Sequence, residues 1–197
     1  MDTGNKEWTS KQYDEAVVRK MDKCGPDPLA PINLFATCII AAIDNPKVLD
    51  LGCGTGDFSL FSGLPFFETA NTDYLGIDFS QKSIDIAKEN HPQDKFICSD
   101  LLDPGLFKVF KEANTFVMIE VLEHLNDDIP LIRRIPAKGN VILSVPDYTE
   151  EGSGHVRCFQ SLTEASERYG PYIELTWAAV HKFKSGNRIF ILAGEKK

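Results

Sequence analysis

The sequence predicts an α/β protein built on a doubly wound, mainly parallel β-sheet. Short, β-branched apolar segments alternate along the chain with segments of helical pattern. Such alternation is typical of a parallel sheet covered by helices on both faces. The last two predicted strands follow each other too closely for a crossover helix, so the sheet should end in an antiparallel hairpin.

Five predicted strands have apolar residues at consecutive positions, as strands buried on both faces do. They are Lys47–Leu51, Tyr74–Asp78, Lys95–Ser99, Thr115–Ile119 and Val141–Val145. The hairpin strands are Tyr172–Val180 and Arg188–Ala193, with Ser185-Gly186-Asn187 between them. Together they predict a seven-stranded sheet whose last strand pair is antiparallel.

Helices are predicted between the strands and before them. Ser80–Asn90 and Ser161–Tyr169 each begin with a serine that can cap the first turn, and a weaker helical pattern covers Leu122–Arg134. Two further helices, Lys11–Asp22 and Ile32–Ile43, precede the first strand. We therefore expect one domain over residues 1–197, with a helical cover (1–45) over the ligand cleft of an α/β core (46–197).

Composition narrows the class of protein and its partners. The chain has 197 residues and a formal net charge of −8, which disfavours a broad electrostatic grip on nucleic acid. Its five cysteines are odd in number, and no pair has Cys-x-x-Cys spacing, so neither a disulfide framework nor a zinc site is predicted. The polar segment Met1–Lys23 does not resemble a signal peptide, and the longest apolar run, Ile32–Ile43, is too short for a bilayer. A cytoplasmic protein without a membrane partner is expected, and the oligomeric state stays open.

The first predicted strand runs directly into a glycine-rich turn that should open a helix. Its glycines stand at alternate positions: Gly52, Gly54 and Gly56. Asp57 occupies the place where a dinucleotide-binding fingerprint has its third glycine. Asp50, inside the strand, would repel a phosphate and attract a cation. This pattern indicates a site for a cationic, phosphate-free nucleoside, which describes S-adenosylmethionine (SAM).

Four segments follow in an order that resembles the class I SAM-dependent methyltransferases, in particular the ubiquinone-biosynthesis O-methyltransferase-like (methyltransferase type 11) group. They are Val48–Asp57, Tyr74–Ser80, Phe96–Leu101 and Val117–Leu125. With the terminal hairpin, the resemblance covers roughly residues 45 to 195. It implies a Rossmann-like fold whose ligand lies at the carboxyl ends of the parallel strands.

The cofactor-binding residues predicted on this basis lie in the glycine turn and at the ends of the next three strands. They are Asp50, Gly52, Gly54, Gly56, Asp78, Phe79, Asp100, Leu101 and Glu120. Asp50 would attract the ammonium of SAM, directly or through water. Asp78 would accept hydrogen bonds from the ribose hydroxyls, and Asp100 from the adenine amino group. Phe79 and Leu101 would pack near adenine.

The sequence Glu120-Val-Leu-Glu123-His124 leaves two interpretations open. If a helix starts here, both glutamates and His124 share one face. They then either border the cofactor and orient the loop, or bind a divalent metal, for which His155 is a further candidate ligand. Carboxylates suit Mg²⁺, and an imidazole favours Mn²⁺, Zn²⁺ or iron. The segment is similar to one in ubiquinone-biosynthesis O-methyltransferases and to the metal-binding segment of small-RNA 2′-O-methyltransferases.

A second resemblance argues against a metal. His155-x-Arg157-x-Phe159 is similar to a loop of small-molecule methyltransferases that need no metal. Trp8 and Tyr13, in the N-terminal segment, are expected either to pack on the core or to belong to a lid that excludes water.

The predicted function is SAM-dependent O-methylation of a small molecule, with His124 and His155 as the candidates that take the hydroxyl proton. Insertions that often form a separate substrate domain are absent. No Asn/Asp-Pro-Pro-Tyr/Phe sequence follows the fourth strand, which argues against methylation of nucleobase amines. The alternatives are a metal-dependent ribose 2′-O-methyltransferase for RNA and a non-catalytic SAM-binding module. An NAD-dependent oxidoreductase is disfavoured by Asp57 and by the reversed hairpin.

Overall fold

Seven strands form one sheet in the computed structural model, which describes residues 7–21, 29–58, 73–149 and 154–197. The strands are β1 (Lys47–Leu51), β2 (Asp73–Asp78), β3 (Lys95–Cys98), β4 (Thr115–Ile119), β5 (Asn140–Pro146), β6 (Ile173–Lys182) and β7 (Arg188–Lys196). Their order across the sheet is β3-β2-β1-β4-β5-β7-β6. Strands β1 to β5 run parallel, and β7 is antiparallel to both β5 and β6. The predicted fold class is confirmed.

The sheet is buried on both faces because consecutive strand residues are apolar. Leu49 and Leu51 of β1 belong to one core cluster, whereas Val48 belongs to another, on the opposite face. Burial of each such side chain contributes about 2 kcal/mol. The parallel strands are thereby fixed, and their carboxyl ends lie together at one edge of the sheet.

Helices flank the sheet, and two of them precede its first strand in the chain. They are α1 (Ser10–Met21), α2 (Ala30–Ile40), α3 (Gln81–Asn90), α4 (Phe107–Glu112), α5 (Ile129–Arg134) and α6 (Leu162–Tyr169). The Ser80 side chain accepts a hydrogen bond from the Ser83 N–H (3.0 Å), and Ser161 accepts one from the Glu164 N–H (3.1 Å). Both predicted serine caps are confirmed. No described helix is long and apolar enough to cross a bilayer.

The predicted helix Leu122–Arg134 is wrong as a single element. The chain instead forms a 3₁₀ turn, Leu122–His124, and then the separate short helix α5. Pro130 lies within the first two residues of α5 rather than inside a longer helix. Proline lacks the N–H that an interior position needs, but is tolerated in the first turn, so it marks a start here.

Other differences concern element ends and one missed helix. Helix α4 was not predicted; it follows the turn Pro104–Leu106, where the Asp103 carboxylate accepts from the Gly105 N–H (2.7 Å). The hairpin strands extend further than predicted, to Lys182 and Lys196. The helix expected to open after Gly56 lies outside the described residues.

The two N-terminal helices have different positions. Helix α2 packs on the face of the sheet, where Phe35 stacks on Trp177 with ring centroids 4.0 Å apart. Helix α1 lies at the carboxyl ends of the strands, and its Asp14 accepts a short hydrogen bond from the Ser80 hydroxyl. Only α1 is therefore placed to cover a ligand at this edge.

Candidate active site

A pocket of about 100 Å³ lies at the carboxyl ends of the central parallel strands. Its lining comes from the N-terminal segment and from the loops after β1, β2, β3 and β4. The lining residues are Glu7, Trp8, Tyr13, Gly52, Asp78, Phe79, Asp100, Leu101, Glu120, Val121, His124 and Leu125. This is the edge at which open α/β sheets bind their ligands.

Backbone hydrogen bonds hold the glycine turn against strand β2. The N–H groups of Gly52 and Cys53 donate to the Ile77 carbonyl at 2.7 and 3.0 Å. Gly52 has a φ of +81°, and a Cβ there would lie 2.5 Å from a methyl carbon of Val121. A side chain is therefore excluded by both conformation and space. A Cβ on Gly54 would meet nothing within 4 Å, so this part of the turn borders open space.

Asp78 organises the turn from the end of β2. Its side chain is buried, with 2% of the residue exposed. One carboxylate oxygen accepts from the Gly54 N–H (3.0 Å) and the other from the Ser80 N–H (2.8 Å). Burial raises the pKa of Asp78, and these two N–H groups partly oppose that effect. Each oxygen keeps a further lone pair for a ligand hydroxyl.

Asp50 points away from the pocket. It is 3% exposed, is not among the pocket-lining residues, and accepts a hydrogen bond from the Tyr74 hydroxyl at 2.7 Å. Burial raises the pKa of Asp50 to about 7, although the Tyr74 hydrogen bond opposes the shift. Any effect of this carboxylate on a ligand therefore passes through the turn.

The structure brings together six of the nine predicted cofactor-binding residues. Those that line the pocket are Gly52, Asp78, Phe79, Asp100, Leu101 and Glu120. Gly56, with a φ of +83°, instead lets α3 pack closely, because a Cβ there would lie 2.9 Å from the His91 ring. Asp100 is exposed, and its carboxylate accepts from the Leu102 N–H (2.8 Å).

Glu120 directly follows β4 and has an unusual backbone conformation, with a φ of +55°. Its N–H donates to the Ser144 hydroxyl (3.0 Å), and that hydroxyl donates to the Glu120 carboxylate (2.8 Å). Burial raises the pKa of Glu120 to about 7, and the Ser144 hydrogen bond opposes the rise. The reciprocal pair with β5 fixes where the following loop starts.

Three groups with ligand atoms converge behind this loop. The carboxylate of Glu123 and the imidazoles of His124 and His155 all have a ligand atom within 4.8 Å of one another. Glu123 is completely buried, and burial raises the pKa of its carboxyl group well above the usual range. His124 reaches the pocket wall, and burial lowers its pKa to about 4, assisted by the neighbouring His155.

Arg157 explains why residues so distant in sequence meet. Its guanidinium donates to the carbonyls of Leu122 (2.9 Å), Leu125 (3.0 Å) and Asn126 (3.1 Å). The neighbouring Val156 N–H donates to the Glu123 carbonyl (2.8 Å). These bonds hold the segment after residue 154 against the β4 loop and bring the His155 ring to 4.8 Å from that of His124, centroid to centroid.

The N-terminal segment closes the pocket from outside. Tyr13 packs against Phe79 (ring centroids 5.3 Å apart) and edge-on to His124 (6.5 Å). The Glu7 carboxylate accepts from the Asn126 side chain at 2.8 Å. Small-molecule sites usually enclose about 300–1,000 Å³, so the pocket in this state is smaller than a nucleoside ligand requires.

Sequence reasoning did not identify Glu7, Val121 or Leu125 as pocket residues. Glu7 lies in a polar segment with no pattern that points to a site. Val121 and Leu125 lie in the apolar segment after β4, which also contains core residues. Their sequence therefore does not show that these two side chains face the pocket.

Comparison with known proteins agrees with this geometry. A family model described as a methyltransferase domain matches residues 11–174. No protein of curated function matches the sequence. Three solved structures share the fold at 13–16% identity: the [4+2]-cyclase SpnF, the N-methyltransferase NodS of Bradyrhizobium japonicum with bound S-adenosylhomocysteine, and the 1,6-didemethyltoxoflavin N1-methyltransferase of Burkholderia thailandensis, with its substrate and S-adenosylhomocysteine.

The structural matches extend over nearly the whole chain. They cover 98, 94 and 96% of this chain and 99, 98 and 91% of the respective relatives, with TM-scores of 0.70, 0.66 and 0.66. At this identity they show the fold, whereas the domain match shows the family. The chain belongs to the class I SAM-dependent methyltransferase family.

Proposed function

We propose that this protein methylates a hydroxyl group of a small molecule, with His124 and His155 at the acceptor. The observation that carries the proposal is the His124 imidazole, which stands on the pocket wall with His155 directly behind it. SAM supplies, when bound, a sulfonium methyl group: the acceptor oxygen would attack the methyl carbon, and the bond from that carbon to sulfur would break with loss of the neutral thioether.

The charge of the pocket lining suits a cationic nucleoside. Four of its lining residues are carboxylates, and none of the described lining residues is Lys or Arg. Asp78 keeps lone pairs for the ribose hydroxyls, while Asp100 and Phe79 lie where we place adenine. The acidic lining would oppose the pyrophosphate of a dinucleotide, which favours SAM over NAD.

The glycine turn would hold the methionine end of the cofactor. Gly54 leaves open space beside its backbone, and Gly52 belongs to the pocket lining. We assign Asp50 an indirect role, since its carboxylate is engaged by Tyr74 and lies behind the turn. It would favour the ammonium through water or through the field of the buried charge.

The hydroxyl acceptor must lose its proton during transfer. We assign this proton to His124, whose imidazole faces the pocket, with His155 as the group behind it. The β4 loop holds both rings in place, because Arg157 and Val156 bind its carbonyls. Fixed position of acceptor and proton-accepting group accounts for much of the rate gain in such reactions.

The acceptor should be small and should enter together with movement of the N-terminal segment. Trp8 and Tyr13 belong to the pocket lining and cover the cleft, which leaves little room for a large substrate. Withdrawal of α1 would admit both ligands, and its return would exclude water.

A methyl-transfer screen tests the proposal. Tritiated SAM is offered with separate pools of small hydroxyl compounds, small amines and RNA, for wild type and for His124→Ala, His155→Ala and the control His181→Ala. His181 lies on β6, at the far edge of the sheet. We expect transfer to a hydroxyl that falls in the first two variants and persists in the control, while SAM binding persists in all.

Two outcomes would point elsewhere. Transfer to RNA alone would favour a ribose 2′-O-methyltransferase, a function for which the metal-type cluster at Glu123, His124 and His155 is the supporting observation. The net charge of −8 and the acidic pocket weigh against that function. SAM binding without transfer to any pool would indicate a non-catalytic SAM-binding module.

A further inference from the structure

The cluster of Glu123, His124 and His155 contains polar atoms that the fold leaves unsatisfied. Among the described residues, the two carboxylate oxygens of Glu123 have no hydrogen-bond partner, and the Nδ1 atom of His124 has none either. All three atoms are buried. An unpaired buried polar group destabilises the fold, and more so when it is charged. Such groups, in and directly behind the pocket wall, favour the binding of a ligand that would pair with them.

The composition of the cluster indicates which kind of ligand it would bind. The atoms of the cluster offer lone pairs. Among the described residues, no lysine or arginine donates a hydrogen bond to Glu123. Arg157 instead donates to the loop carbonyls and forms an ion pair with Asp128 at 3.3 Å. One carboxylate and two imidazoles form a ligand set of the kind that zinc, iron and related divalent ions take in proteins.

From this geometry we infer that Glu123, His124 and His155 bind a divalent transition-metal ion at the acceptor side of the pocket. The ion's binding stands on the cluster alone, whereas its use in methyl transfer rests on the proposed function. Glu120 is not a ligand in this assignment, because its carboxylate is engaged by Ser144 and it lies outside the cluster.

The distances allow the set to close. Ligand atoms about 2.1 Å from one tetrahedral ion lie about 3.4 Å apart, and the three atoms here already lie within 4.8 Å of one another. Side-chain movements of about 1 Å would suffice. The backbone need not move, because Val156 and Arg157 hold the two segments together.

Three protein ligands leave at least one position open. His124 alone of the three belongs to the pocket lining, so the open position faces the pocket, where a water or acceptor oxygen can complete the site. With an ion bound, the two imidazoles would act as ligands and would no longer accept the hydroxyl proton directly. The ion would instead lower the pKa of a coordinated hydroxyl, which would release its proton to water.

Cobalt binding tests the inference on the intact protein. Chelator-treated protein is titrated with Co²⁺, and visible ligand-field absorption and melting temperature are recorded; SAM binding is measured separately by calorimetry. We expect one Co²⁺ per chain and a higher melting temperature. In Glu123→Gln and His155→Ala, Co²⁺ affinity should fall by more than about 100-fold, because loss of even an outer-shell partner costs about 10- to 100-fold.

The controls separate this inference from the proposed function. His181→Ala and Glu120→Gln should retain Co²⁺ binding. Absence of a cobalt spectrum, or a spectrum unchanged in Glu123→Gln, would overturn the metal site and leave SAM binding and transfer as they stand. Equally tight binding of Mg²⁺ would contradict the imidazole ligands. If the wild-type protein does not bind SAM, the proposed function is overturned, while the cobalt result stands.

Discussion

Replacement of Gly52 by alanine measures how tightly the glycine turn is packed against the β4 loop. A residue with a side chain at the observed φ of +81° costs about 1–2 kcal/mol of strain. The new Cβ would also lie 2.5 Å from a Val121 methyl carbon, and relief of such overpacking costs about 1–3 kcal/mol. Gly52→Ala should therefore destabilise the protein by about 2–5 kcal/mol.

Gly54→Ala is the matched control. Its φ of +54° is also positive, but a Cβ there meets nothing within 4 Å, so only strain remains, about 1 kcal/mol. Val121→Ala removes the colliding methyl groups and leaves the nearest contact, to the Val121 Cβ, at 3.4 Å. The double variant Gly52→Ala/Val121→Ala should therefore recover about 1–3 kcal/mol relative to the sum of the single changes.

Urea unfolding followed by circular dichroism supplies the four free energies of unfolding that the cycle needs. Two results would refute the reasoning: equal destabilisation by Gly52→Ala and Gly54→Ala, or strict additivity of Gly52→Ala with Val121→Ala. Either would mean that the turn does not contact the β4 loop as the structure shows.

Three further predictions concern buried carboxylates. The stability of Asp50→Asn relative to wild type should increase as pH rises from about 4 to 8, by up to about 4 kcal/mol. The reason is that the raised pKa makes ionisation of Asp50 costly in the folded state. Urea unfolding at several pH values measures this difference, and a pH-independent difference would contradict the prediction. Asp128→Ala should destabilise the protein by about 3 kcal/mol, because it leaves the Arg157 and Arg168 guanidinium groups without the fully buried carboxylate that pairs with them. The exposed control Asp127→Ala should cost less than about 0.5 kcal/mol, and similar melting temperatures for the two variants would refute this. Asp78→Ala should weaken SAM binding by about 10- to 100-fold, because it removes the carboxylate that accepts from the ribose and from the Gly54 N–H. Calorimetry measures this affinity. It should show no such loss for Asp73→Ala, an exposed site at the other end of β2.

Local signals in the sequence predicted the elements whose causes are local. The caps at Ser80 and Ser161 depend on neighbours three residues away, and both formed as predicted. The parallel strands follow from consecutive apolar residues. Leu122–Arg134 failed because Pro130 is compatible with either an interrupted helix or a helix start, and only the surrounding fold decides between them.

The candidate site was predictable where each residue follows a strand. Asp78, Asp100 and Glu120 reach the pocket because parallel strands present their carboxyl ends at one edge. Contacts between distant segments were not predictable. The Asp50–Tyr74 hydrogen bond joins two adjacent strands across the sheet, and the approach of His155 to His124 depends on Arg157 and three backbone carbonyls, which no spacing reveals.

A crystal structure with S-adenosylhomocysteine tests the central claim most directly. We predict the ribose hydroxyls on the Asp78 carboxylate, the methionine end along the glycine turn, and α1 displaced or rearranged to make room. A nucleoside bound at another face of the sheet, or an empty crevice at saturating ligand, would contradict the account.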